Sequence, residues 1–199
     1  MGNTKETSIY LVRHGITKSN KLKIYAGWNE EELDEEGVLQ VEKLGKKIKS
    51  WSIPQIYTSP IKRAIQTAHI INKYIRAEFI IEPDLIEMKL GAWEGMSEEQ
   101  VALTYPREYK IWITKPAELK LNGRESLESV QERSVRTVNK ILSSDLNKKF
   151  LIVTHVAIIR SLILFFKGFN LNQYKRIHVP NASIFEFKFQ EKGIQVKKL

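Results

Sequence analysis

The chain contains no cysteine among its 199 residues, which excludes disulfides, thiolate nucleophiles and cysteine-based metal sites. Long hydrophobic runs are missing too. The longest apolar stretch, around Leu162 to Phe166, is flanked by Arg160 and Lys167 and falls far short of the roughly 18 residues of a membrane span. It reads as a core helix, and no membrane association is expected. Internal repeats, low-complexity tracts and linkers are absent. The opening Met-Gly-Asn-Thr-Lys-Glu-Thr lacks the apolar segment of a secretory signal, and Glu6 stands where a myristoylation signal wants Ser or Thr. These absences lead to the expectation of a cytoplasmic protein with one domain over residues 1–199.

What is present is ordinary for a globular protein: 42 % hydrophobic and 28 % charged residues. The formal net charge of +9 would attract a polyanion. Yet the basic residues are mixed with acidic neighbours, as around Glu42-Lys43 and Lys46-Lys47, and no basic run is interleaved with aromatics. A solvated lysine-rich surface explains this pattern, and no nucleic-acid partner is expected.

Apolar Ile9 to Val12 predict a buried strand ending at Arg13-His14-Gly15. Asp34 reads as a helix cap, with Val38, Val41, Leu44 and Ile48 at helical spacing behind it. Ile53 to Tyr57 predict a second strand, after which Ser59 is placed to cap a helix and Pro60 to open it, running to about Tyr74. A third strand is expected over Ala77 to Glu82, followed by an irregular stretch through Gly91 and Gly95. Ser97 starts a helix that Tyr105-Pro106 breaks, and Tyr109, Ile111, Trp112 and Ile113 form an aromatic cluster. Residues 96–125 therefore read as a small helical cap. A long amphipathic helix over Ser126 to Leu142, an apolar strand over Phe150 to Thr154 and a helix over Ala157 to Phe166 follow. Alternation over Ser183 to Phe189 and Ile194 to Val196 predicts a closing hairpin. The expected fold is a three-layer α/β/α sandwich with a mostly parallel sheet and antiparallel pairing near an edge.

Three polar groups fall just past predicted strands: Arg13-His14, Thr58-Ser59-Pro60 with Arg63, and His155. Ligands bind outside the carboxyl ends of strands in such sheets, so two arginines and two histidines gathered there suit an anion. Arg63, in the first turn of its helix, opposes the helix dipole, and that cost suggests a task. The plainer alternatives are a solvated Arg63 and a hydrogen-bonded core His155. His69 and His178 lack such settings and read as structural or surface residues. Arginines are poor company for a cation, so no metal is expected.

At these positions the chain resembles the histidine phosphatase superfamily, also called phosphoglycerate mutase-like, nearly end to end. The matching residues are Leu11-Val12-Arg13-His14-Gly15 with Thr17 and Asn20, then Gly27, then Asp34, Gly37 and Gln40, and Thr58-Ser59-Pro60 with Arg63-Ala64 and Thr67-Ala68. Leu85, Glu87, Gly91, Trp93-Glu94-Gly95, Gly123, Glu125-Ser126, Val153-Thr154-His155, Arg160 and Asn181 complete the match. The resemblance implies that Arg13, His14, Arg63 and His155 form a phosphate pocket, that Asn20 assists them, and that Glu87 is the proton donor. It implies His14 as nucleophile, no cofactor and no metal, and a small phosphomonoester as substrate; it leaves a homodimer open. Ile16 and Val156 depart from the family pattern.

Within the family, mutases carry a longer segment before the second histidine and a tail that covers the site. This chain ends soon after its closing strands, which favours a phosphatase over a phosphoglycerate mutase. Tyr25-Ala26-Gly27, Trp112, Pro116 and Gly123-Arg124-Glu125-Ser126 look like the α-ribazole phosphatase branch. Some relatives have become weak phosphate-ligand-binding proteins, but every expected chemical group is retained here.

Overall fold

The computed structural model describes residues 6–144 and 149–199. The readings made on residues 1–5 lie outside them. In chain order the elements are β1 (Thr7–Arg13), α1 (Lys18–Lys21), α2 (Glu35–Ile48), β2 (Gln55–Thr58), α3 (Lys62–Ile75), β3 (Glu78–Ile81), α4 (Glu98–Thr104), α5 (Pro106–Thr114), α6 (Leu127–Ser144), β4 (Lys149–Thr154), α7 (Val156–Phe166), β5 (Ile184–Gln190) and β6 (Gly193–Lys198). Short 3₁₀ turns stand at Pro83–Leu85, Gly91–Trp93, Pro116–Glu118 and Leu171–Arg176.

Among the described residues, six strands form one sheet in the order β3-β2-β4-β1-β5-β6. The first four are parallel neighbours, while β5 and β6 run antiparallel at one edge. β1 is buried on both faces, which is why it reads as a continuous apolar run. Its Ile9 and Leu11 enter the core shared with α6 and α7, and its Tyr10 and Val12 enter the core shared with α2 and α3. α7 is the most apolar helix: Ile158, Ile159, Leu162 and Leu164 are fully buried, each worth about 1.5–3 kcal/mol of burial. The apolar stretch around Leu162 is therefore a core helix.

Sequence and structure part at some boundaries. α3 begins at Lys62, two residues later than expected, with Ile61 at its cap position and no side-chain cap bond. Pro60 is outside the helix, and Ser59 is engaged elsewhere. α1 and the Leu171–Arg176 turn, too short to show a period, were not expected from the pattern. Asp34 does cap α2, accepting from the Gly37 amide at 3.0 Å. The loop after β1 passes so close to α2 that a Cβ on Gly37 would lie 2.1 Å from the Ile16 carbonyl oxygen. Only glycine permits that approach, and it fixes the path of the chain leaving His14.

Candidate active site

β4 lies between β1 and β2, although β2 follows β1 in the chain. Such a change of strand order opens a crevice at the carboxyl ends. Arg13 ends β1, Ser59 follows β2 and His155 follows β4. The ladder continues just past the strands and fixes these residues: the His14 amide donates to the Thr154 carbonyl at 3.0 Å, and the Ser59 amide donates to the Val153 carbonyl at 3.0 Å. A cavity of about 160 Å³ opens there, lined by Arg13, His14, Asn20, Arg63 and Glu87 among others.

His14 Nδ1 lies 2.8 Å from the Gly15 carbonyl oxygen. A carbonyl only accepts, so Nδ1 carries the ring hydrogen and Nε2 keeps the lone pair. Burial, then Arg63 and Arg13, hold the imidazole well below its usual range, so this lone pair stays unprotonated at neutral pH. Both arginines contribute, but burial is the larger cause.

His155 lies beneath the cavity lining, its ring centroid 5.2 Å from that of His14. Its Nε2 is 2.7 Å from Ser59 Oγ, which already accepts the Ile61 amide at 3.3 Å. Among the described residues Nε2 is the one group placed to accept the Ser59 hydroxyl hydrogen, and that bond puts the His155 ring hydrogen on Nδ1. That Nδ1 is buried with no partner among the described residues, a donor without an acceptor. Burial, Arg63 and His14 keep His155 neutral as well.

Arg63 is almost fully buried. One terminal nitrogen donates to the Asn29 carbonyl and side-chain oxygens, both at 3.0 Å; the other donates to the carbonyls of Gly27 at 2.7 Å and Ala26 at 3.3 Å. The carbonyls of this loop offset the cost of a cation at a helix start. Arg13 donates to the Val179 carbonyl at 2.7 Å, while its Nε is buried without a partner among the described residues. Burial pulls the Arg13 pKa down to about 10, with Glu87 opposing. Asn20 is held by α1, its Oδ1 accepting from the Thr17 amide at 3.2 Å and from Asn181 Nδ2 at 2.8 Å. Asn20 also lines the cavity.

Glu87 is buried, and desolvation raises its pKa against the pull of the Met88 amide, Arg63, Arg13 and Arg133. Its Oε1 accepts from the Met88 amide at 2.7 Å and from the Ala157 amide at 3.3 Å, so Oε2 is the atom free to carry a proton. Trp28 Nε1 and Arg133 hold its backbone carbonyl, at 2.7 and 3.2 Å. The arrangement combines a neutral imidazole with a free lone pair, fixed cationic and amide donors, and a buried carboxyl whose pKa is raised. These are the parts needed to displace an alcohol from a phosphomonoester.

All six expected residues thus converge, five on the cavity wall and His155 just behind it. His69 stacks on Phe79 at 4.5 Å and is exposed, as is His178; neither reaches the site. Of the aromatic cluster only Trp112 lines the cavity. Tyr109 instead donates to Glu98 at 3.0 Å. Val156 also lines the cavity, so that departure from the family pattern narrows the pocket with a side chain. Sequence reasoning missed Lys175 and Tyr174 on the wall, the link from Ser59 to His155, and Arg133 behind Glu87. Among the described residues no cluster of three or more His, Asp or Glu is arranged to hold a metal ion, and no helix is long and apolar enough to cross a membrane.

Comparison with known proteins agrees with this geometry. The profile of the histidine phosphatase superfamily (branch 1) matches residues 9–199. Phosphoserine phosphatase 1 of Hydrogenobacter thermophilus is 29 % identical over 191 residues, covering 96 % of this chain and 90 % of the relative. The solved structure of Bacillus stearothermophilus YhfR superposes with a TM-score of 0.91 at 27 % identity, covering 96 % of each chain. A phosphoserine phosphatase from Entamoeba histolytica, solved in complex with 3-phosphoglyceric acid, gives 0.85 at 26 % identity, covering 96 % of this chain and 95 % of the other. The chain belongs to the histidine phosphatase superfamily and is a phosphoric monoester hydrolase.

Proposed function

We propose that this enzyme is a metal-independent phosphomonoesterase that works through a phosphohistidine on His14. The observation that carries the reading is the hydrogen bond from His14 Nδ1 to the Gly15 carbonyl, which leaves Nε2 as the nucleophile in a pocket of cations. Nε2 attacks phosphorus, the ester P–O bond breaks, and the proton on Glu87 goes to the departing alcohol. Water then gives a proton to Glu87 and its oxygen to phosphorus, the N–P bond breaks, and phosphate leaves. Arg13, Arg63, Asn20 and the Nδ1–H of His155 neutralise the equatorial oxygens throughout.

Residues 96–125 act as the cap, with Trp112 as their contribution to the wall. The substrate is a small phosphorylated metabolite. Pockets for drug-sized ligands measure roughly 300–1,000 Å³, and the cavity here measures about 160 Å³. That favours a compact substrate over α-ribazole 5′-phosphate.

Phosphate release from p-nitrophenyl phosphate and a panel of small phosphomonoesters, measured with EDTA present, tests the reading. Wild type should turn over and His14→Ala should not, and only wild type should trap an acid-labile phosphoenzyme. Equal release by both proteins would remove His14 from the mechanism.

A further inference from the structure

The cavity carries more positive charge than a phosphate can answer. Its wall holds Arg13, Arg63, Arg160 and Lys175, and the acidic side chain among them is Glu87, which burial pushes toward its neutral form. A phosphomonoester dianion offsets two of the four cations. Arg13 and Arg63 flank His14 and take the phosphoryl group, so Arg160 and Lys175 are left over.

Neither of these two is neutralised within the protein. Arg160 donates through Nε to the Ile177 carbonyl at 2.8 Å, and its guanidinium lies 4.9 Å from the Tyr174 ring centre. The Lys175 ammonium lies 5.1 Å from the Trp112 ring centre. Among the described residues no carboxylate comes within 4.0 Å of either cation. Glu98, whose field reaches Lys175, accepts the Tyr109 hydroxyl instead. The rings of Tyr174 and Trp112 hold the two cations without neutralising them, and the Tyr174 hydroxyl also accepts from Arg160. Burial lowers the Lys175 pKa, with Glu98 opposing from a distance and Arg160 adding to the fall.

We propose that Arg160 and Lys175 form a second anion subsite that takes a carboxylate on the substrate, making the enzyme selective for phosphorylated carboxylic acids. This rests on the phosphomonoesterase reading of the same cavity. A carboxylate matches the planar fork of Arg160, and the small cavity leaves little room for a second phosphoryl group.

The test is calorimetric binding to His14→Ala, which holds substrate without turning it over, using 3-phosphoglycerate and glycerol 3-phosphate. These differ only in a carboxylate against a hydroxymethyl group. His14→Ala should bind 3-phosphoglycerate at least about tenfold more tightly, as expected for a charge-assisted hydrogen bond. Adding Lys175→Met should erase most of that ratio, and adding Lys175→Arg should keep most of it. A ratio near one, a ratio that Lys175→Met leaves unchanged, or no binding of either ligand overturns the subsite. Failure of the phosphomonoesterase reading shows separately, as absence of phosphate release by wild type.

Discussion

Arg133 is the residue whose loss should reveal how the proposed acid is held. It projects from α6 and uses its whole guanidinium: Nε and one terminal nitrogen grip Glu125 at 2.7 and 2.9 Å, and the other terminal nitrogen donates to the Asp84 and Ile86 carbonyls at 2.6 and 2.7 Å. The contact to the Glu87 carbonyl completes the set. Both members of the ion pair are largely buried, so Arg133→Met strands Glu125 and three carbonyls. Breaking such a pair costs about 3–5 kcal/mol, and the partial exposure of Glu125 argues for about 3. For a chain of this length that is a fall in Tm of roughly 6–12 °C. Two kinetic effects should accompany it. A loosened Glu87 should slow alkyl phosphates by up to about a hundredfold, and p-nitrophenyl phosphate, whose leaving group needs no proton, far less. Arg133 also pulls the Glu87 pKa down, so its removal should move the alkaline limb of kcat to higher pH. Arg133→Lys should return the limb toward its original position without restoring the fork. Equal slowing of both substrate classes, or a limb displaced to lower pH, would show that Arg133 serves stability alone.

Glu87→Gln should slow glycerol 3-phosphate by about 100-fold or more and p-nitrophenyl phosphate little; equal slowing would remove Glu87 as the acid. Ser59→Ala frees His155 to adopt the other tautomer, so KM should rise and inhibition by phosphate weaken by about tenfold, the worth of one charge-assisted bond, with the melting temperature changing much less than for Arg133→Met. His14 and His155 are both held neutral in the fold, while in the unfolded chain they take up protons near pH 6.5. Stability should therefore be level above about pH 6.5 and fall as pH drops toward about 5, because the unfolded state then binds more protons. Urea midpoints across that window that do not move would contradict the depressed pKa values.

The fold was legible where burial and period coincide. β1 and β4 lie inside the sheet, so every residue of Ile9 to Val12 and of Leu151 to Thr154 is buried, and a continuous apolar run marks each. α2 announces itself through Asp34 and a stripe that ends at Ile48. The start of α3 was misjudged because Ser59 and Pro60 satisfy a local rule for opening a helix. The Ser59 hydroxyl instead supports the Ile61 amide and reaches His155, 96 residues away in the chain.

The same distinction separates the parts of the site. Arg13 and His14 are adjacent, at a strand end, and of types that make sense together, so their chemistry can be read from a short window. Arg133 sits in the polar stripe of a long amphipathic helix, where an arginine looks like any solvated charge. Its meaning comes from carbonyls about 46 residues away, at Ile86 and Glu87, that a one-dimensional pattern does not bring near. Lys175 is harder still: it lies on a 3₁₀ turn too short for a period, and its neighbour Trp112 belongs to another part of the chain. Groups that perform chemistry must be of particular types and are visible by type. Groups that orient them or set selectivity can be of common types, and only the closure of long loops gives them a role.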